Sequence, residues 1–193
     1  KGAMSVFAEA GYGGAGIDAI AKRAGVSTRT IYNHFQDKPE LFHATIMEST
    51  TSVTAAMLAV VERHFRKVTD LEADLIAFGC DLVRTKAEFA AHFEMMRQVK
   101  TEWSHVPAEA ARQWDEAGPR RFNTELAARL RLLAERGLLR VGDADQAAHH
   151  LLVLAWSGLP DAFELGGTPD SEVVEKVTAG VQVFLYGYAG GPR

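Results

Sequence analysis

The sequence predicts an all-α chain in two parts: an N-terminal three-helix, helix-turn-helix domain over residues 1–47 and a larger C-terminal helical domain over residues 48–193. Three observations predict it. Two short helical periods meet across a tight turn at Gly25, and a run with few breakers extends from Lys38 to about Lys67. Beyond Asp70, proline and glycine punctuate helix-length segments, and no alternating strand pattern is found.

Ala3, Val6, Phe7 and Ala10 form a helical stripe that ends at Gly11, and this first helix is expected to pack across the motif pair together with Tyr12. In the second helix Ile17, Ile20, Ala21 and Ala24 share one face; Gly16 caps it, and Gly25 ends it in the left-handed conformation that glycine adopts cheaply. Ser27 caps a third helix, with Ile31 and Phe35 four apart on one face and Thr28, Arg29, Tyr32 and Asn33 pointing elsewhere. Asp37 is an N-cap with Glu40 as its capping-box partner, and Pro39 is tolerated in a first turn that lacks amide partners anyway. A long helix therefore starts near Lys38, carrying Leu41, Phe42, Ile46, Met57, Leu58, Val61 and Phe65. At 1.5 Å per residue it spans roughly 45 Å, long enough to join the two domains. The run from Thr50 to Thr54 is a poor helix former, so a bend or loosened turn is expected there.

Further helices are expected at about 71–86, 88–102, 108–117, 120–136, 143–165 and 171–188, punctuated by Pro107, Pro119, Pro160 and Pro169 and by Gly118, Gly137, Gly142 and Gly166-Gly167. Asp143 with Gln146 reads as another capping box, and Thr168-Pro169 as a cap followed by proline at the first helical position.

Composition limits the function. At 47% hydrophobic and 24% charged, 193 residues can bury one small head and one larger core. No apolar run approaches the roughly 20 residues of a membrane span, and no basic region leads into an apolar stretch at the N-terminus, so no membrane partner and a cytoplasmic location are expected. Cys80 is the single cysteine, which excludes an intrachain disulfide and a multi-cysteine zinc site. Set amid Leu75, Ile76 and Leu82, it reads as a small buried apolar residue. Net charge is −4, yet residues 1–47 carry five lysines and arginines against four carboxylates, so the acidity lies elsewhere.

Phe7, Gly11-Tyr12, Ile20-Ala21, Ala24-Gly25-Val26-Ser27, Thr30-Ile31-Tyr32, His34-Phe35 and Lys38 resemble the N-terminal signature of TetR-type transcriptional regulators. The match spans roughly Met4 to Phe42. The loop Gly13-Gly14-Ala15-Gly16 departs from it, because the family usually offers Ser or Thr to cap the second helix. The resemblance makes residues 1–47 a DNA-binding domain, and a basic N-terminal arm that touches phosphates or the minor groove is expected to precede Lys1. A looser resemblance to the AefR-like C-terminal domain runs from Glu116-Ala117-Gly118-Pro119 through Leu132 and Gly137-Leu138-Leu139 to Asp145-Gln146-Ala147-Ala148.

The helix from Thr28 to Phe35 fits a major groove. There Arg29 can contact guanine bidentately, Asn33 can serve adenine and Thr28 can meet a thymine methyl. Tyr32, His34 and Lys38 are placed for backbone phosphates, Lys38 adding its charge to the positive end of the next helix, and Ser27 joins this DNA-facing set as the cap.

In the second domain Phe89, His92, Phe93, Met96 and Val99 recur along one helix face, with Trp103, Trp114 and Phe122 in neighbouring segments. Such a stripe ordinarily packs as core. The family resemblance also implies an inducer cavity, usually apolar with a few polar groups, so Phe89, His92, Phe93, Met96, Trp103, Trp114 and Phe122 are the candidate lining for a small apolar effector. The last two helices are apolar on more than one face, which suggests a second contact. The resemblance implies a homodimer through a four-helix bundle, here using Leu151, Leu152, Ala155, Leu159, Val177, Val181, Phe184 and Leu185. The expectation is a ligand-responsive regulator, by family habit a repressor, that binds a pseudo-palindromic double-stranded DNA operator as a homodimer.

Two rival classes stand beside this expectation. An enzyme finds little support: the glycine loop lacks a preceding strand and a following Gly-Lys-Ser/Thr, no nucleophile elbow is present, and adjacent His149 and His150 point about 100° apart on a helix. No metal or cofactor is expected. A helical dimer that binds ligands or partners without reading DNA is the more serious rival, given the near-neutral head.

Overall fold

The computed structural model describes residues 2–101, 108–157 and 170–187, and among these every regular element is helical. Ten helices follow in order: α1 Gly2–Gly14, α2 Ile17–Ala24, α3 Thr28–His34, α4 Lys38–Phe65, α5 Leu71–Glu88, α6 Ala90–Thr101, α7 Ala108–Ala117, α8 Pro119–Glu135, α9 Ala144–Leu152 and α10 Asp170–Tyr186. A π-helical stretch, Val153–Ser157, continues α9. The all-α expectation holds. Trp103, Leu159 and the punctuation expected at Pro107, Pro160, Gly166-Gly167 and Thr168-Pro169 lie outside the described residues.

The local signals act as their chemistry requires. Gly25 takes φ 70°, and its amide reaches the Ala21 and Lys22 carbonyls at the end of α2. Ser27 Oγ accepts from the Thr30 amide at 3.0 Å. Asp37 Oδ1 accepts from the Glu40 amide at 2.9 Å, while the Glu40 carboxylate reaches back to the Gln36 amide at 2.6 Å, one residue beyond the usual capping box. Asp143 Oδ1 accepts from the Asp145 and Gln146 amides.

The run Thr50–Thr54 does not interrupt the helix: α4 is continuous over 28 residues. The hydroxyls of Thr51 and Ser52 donate to the Met47 and Glu48 carbonyls one turn back, so both are satisfied within the helix. By length and composition alone α4 is apolar enough to cross a membrane, but Val53, Met57, Val60, Val61 and Phe65 are buried inside the protein.

The chain forms two compact units that cut across its order, Lys1–Thr54 with Phe89–Pro119 and Ala55–Glu88 with Arg120–Arg193. In the first, α6 and α7 join the head. Met95 and Met96 of α6 belong to the same buried cluster as Phe7, Ile20, Ile31, Leu41 and Ile46, with Trp114 of α7 packed against it. Burying an aliphatic or aromatic side chain of this size contributes roughly 1.5–3 kcal/mol, so three short helices gain much of their core from segments far away in sequence.

The second unit buries Val61, Leu75, Phe78, Leu82, Leu126, Leu130 and Leu133. Asp81 of α5 gathers His64 at 2.8 Å, Arg63 at 3.0 Å and Arg84 at 2.7 Å. Partial burial works to raise its pKa, but hydrogen bonds from His64, Arg84 and Arg63 outweigh this and hold the carboxylate below its ordinary range. Cys80 is buried, as expected, and its burial raises the thiol pKa.

Most of the residues expected at a dimer interface already pack inside the protomer. Leu151, Leu152, Ala155, Val177 and Val181 are buried within the protomer's own core. The cause is close helix approach: a Cβ at Gly180 of α10 would collide with the Leu154 carbonyl, and one at Gly79 of α5 would lie 2.6 Å from Val177 Cγ1. These glycines let α10 sink in until two of its faces are covered. Phe184 and Leu185 are half-buried, and Val153, Leu154 and Val174 carry the exposed apolar surface of this region.

Candidate nucleic-acid interface

α3 has one buried side chain, Ile31, which seats it in the head's core. Arg29, Asn33 and His34 are exposed, and Tyr32 is 55% exposed although it is a large aromatic. Arg29, Tyr32 and Asn33 make no hydrogen bond or ion pair among the described residues. The helix thus presents a row of donors and a phenol ring with no partner of their own. Thr28 is half-buried, and Ser27 spends its hydroxyl locally, on the Thr30 amide and on Thr30 Oγ1 at 2.9 Å.

Lys38 has contacts inside the head. Its Nζ sits 4.7 Å from the centre of the Tyr12 ring and donates to the Gly13 carbonyl at 3.4 Å. Tyr12 in turn packs on Phe42, ring centres 4.8 Å apart. Lys38 therefore ties the start of α4 to the turn after α1. A cation over an aromatic face contributes roughly 0.5–1 kcal/mol at an exposed site.

Arg23 is committed as well. It grips the Glu9 carboxylate with two parallel hydrogen bonds of 2.8 and 2.9 Å, which lowers the Glu9 pKa and raises its own. Lys22 was missed by the sequence reading. It is exposed on α2 with no partner among the described residues, and its place opposite the buried Ile20-Ala21 face was the available signal.

Trp103 lies outside the described residues, and the other candidate effector residues have separate surroundings. Met96 and Trp114 serve the head's core. His92 is 7% exposed, pairs through Nδ1 with Ser49 Oγ at 2.8 Å, and has its pKa lowered to about 4 by burial. Phe93 packs edge-on against the His92 ring, centres 5.2 Å apart, and with Phe89 is only half-buried. Phe122 is buried in the second unit. That unit has a groove of about 670 Å³ lined by Leu139, Arg140, His150 and Val183 among others, and by none of the seven candidates.

A buried three-helix head with an exposed polar second motif helix, followed by a larger helical body, defines a helix-turn-helix regulator. Comparison with known proteins agrees. Residues 1–45 match the model of bacterial regulatory proteins of the tetR family, and residues 74–190 match that of the AefR-like transcriptional repressor C-terminal domain. The chain belongs to the TetR family of bacterial transcriptional regulators.

The HTH-type transcriptional activator FasR of Mycolicibacterium smegmatis (strain ATCC 700084 / mc(2)155) is 38% identical over 68 residues, 35% of this chain and 29% of that protein's length. A protein from Mesorhizobium loti MAFF303099 described as a TetR-family transcriptional regulator superposes with a TM-score of 0.82 at 25% identity, over 95% of this chain and 91% of that one. The flavonoid-responsive regulator FrrA superposes with a TM-score of 0.62 at 28% identity, over the same shares of the two chains. The names differ on the sign of regulation: the AefR-like model is called a repressor and FasR an activator.

Proposed function

We propose that the chain is a ligand-responsive transcriptional regulator that binds a pseudo-palindromic operator as a homodimer in the cytoplasm. The observation that carries this is the surface of α3, where Arg29, Tyr32 and Asn33 stand out from a helix anchored by Ile31 and have no partner among the described residues. Arg29 and Asn33 read base edges, and Tyr32, His34 and Lys22 meet phosphates. Lys38 acts mainly by holding the head together. Two copies associate through the exposed apolar positions Val153, Leu154 and Val174, flanked by Phe184 and Leu185, with the buried neighbours serving as backing. A small apolar effector is supported by the name of the 28%-identical FrrA, and Phe89 and Phe93 are the stripe residues with surface left to meet it.

The test is selection of bound sequences from random duplex DNA at fixed salt. An inverted repeat should be enriched and lost in Tyr32→Ala, whereas Arg29→Ala should relax preference at one base pair, by about 1–3 kcal/mol of discrimination. Selection of no sequence by the unaltered protein would reject the reading. With the operator known, flavonoids and other lipophiles are titrated against both thermal stability and operator affinity, since an effector must change both if it favours one state.

A further inference from the structure

We infer that Gln98 of α6 is a positioning residue for DNA reading, although it lies 60 residues beyond the DNA-facing segment that ends at Lys38. The inference rests on the regulator reading above. Its basis is a break in α1. Gly11 has φ 67° and ψ 175°, so α1 is kinked there and only a last turn, to Gly14, follows before α2. The last carbonyls of a helix lose their in-helix partners and need donors from elsewhere. Gln98 Nε2 donates to one of them, the Ala8 carbonyl, at 2.8 Å. Its other end also bears on the break, because a Cβ placed on Gly11 would come 2.9 Å from Gln98 Oε1. One amide therefore straddles the turn, nitrogen on Ala8 and oxygen against Gly11.

The amide is itself held. Gln98 Nε2 lies 3.2 Å from Glu94 Oε1, and Arg97 grips the Glu94 carboxylate at 2.6 and 3.0 Å. His92, two turns earlier on α6, is bound to Ser49 of α4. α6 is thus fixed to α4 at one end and to the α1 break at the other. From the break, direct contacts lead to the DNA-facing surface. Tyr12 follows Gly11, carries Lys38 over its ring and packs on Phe42, and Lys38 opens the helix that follows α3. How sharply α1 turns at Gly11 sets where Tyr12 stands, and Tyr12 sets how the α3–α4 junction seats. Gln98 fixes that angle.

The experiment uses the full chain, the operator selected by the unaltered protein and a scrambled duplex of equal length at the same salt. Gln98→Met keeps the length and bulk but cannot donate, Gln98→Asn withdraws the amide by one methylene, and Gln98→Lys restores a donor. Gln98→Met and Gln98→Asn should each weaken operator binding about tenfold, with affinity for the scrambled duplex unchanged, and Gln98→Lys should recover most of the loss. Operator affinity equal to that of the unaltered protein in both Gln98→Met and Gln98→Asn overturns the inference. So does a loss shared by operator and scrambled duplex in step with a lower melting temperature, which would mark a merely structural residue. If the unaltered protein selects no operator, the regulator reading fails and takes this inference with it.

Discussion

α3 and α10 both carry more side-chain surface than a single packing stripe uses, yet the surplus has opposite fates. On α3 the surplus is polar and stays exposed over one buried anchor, Ile31. On α10 it is apolar, and much of it is consumed inside the protomer, where Val177, Gly180 and Val181 are all buried. Unused surface cannot be judged from a helix alone. A polar surplus has nowhere to go but outward, whereas an apolar surplus goes wherever small residues let a neighbour come close, and Gly79 and Gly180 let two neighbours in.

The largest effect should come from closing that approach. Gly180→Ala places a methyl against the Leu154 carbonyl, a backbone atom that cannot rotate away, and should destabilise the chain by about 3 kcal/mol or more in urea unfolding. Gly79→Ala should cost less, because the obstructing Val177 Cγ1 belongs to a side chain that can yield. Arg29→Ala on α3 should leave stability within about 0.5 kcal/mol while changing operator preference. A mild Gly180→Ala would mean that the apolar faces of α10 are open to a partner after all.

The two units should also part company in acid. Burial lowers the His92 pKa from 6.5 to about 4, so on acidification the unfolded chain takes up this proton first. Stability is therefore lost as pH falls from about 6.5 to about 4, by at most about 3 kcal/mol. Asp81 in the second unit has a lowered pKa, so its contribution is present above 3.8 and fades only as pH falls through the lower folded value. The head should loosen first. Urea unfolding at several pH values should show a slope in the upper window that disappears in His92→Leu, and a slope unchanged by that substitution would overturn the assignment.

What could be read beforehand follows the same division. The caps at Gly25, Ser27, Asp37 and Asp143 are local chemistry, each set by residues within five of one another, and all four were legible. The polar face of α3 was legible for a related reason, since it needed only the helical period and one apolar anchor. Membership of α6 in the head was not. Met95 and Met96 look like any core stripe, and nothing in their spacing says that Ile20 and Ile31 are the residues they cover. The contact of Lys38 with Tyr12 was not legible either, because the two are 26 residues apart and Tyr12 reads only as packing. The pairing of His92 with Ser49 was hidden in the same manner, since the two are 43 residues apart.

The smallest effect tests how the head manages charge. Arg23 and Glu9 are both exposed, so their pairing ties α1 to α2 weakly and should be screened by added salt. Its functional weight lies in what it withholds, because a guanidinium held bidentately by a carboxylate is not free for a phosphate. Glu9→Gln should leave the unfolding midpoint nearly unchanged. It should raise affinity for operator and scrambled duplex alike and steepen the dependence on salt by about one counterion at most. Lys22→Gln should do the reverse, since Lys22 has no partner to lose among the described residues. If Glu9→Gln instead sharpened discrimination between the two duplexes, Arg23 would belong with Arg29 among the residues that read sequence. The division between an outward polar surplus that reads DNA and paired residues that hold the fold would then need redrawing at α2.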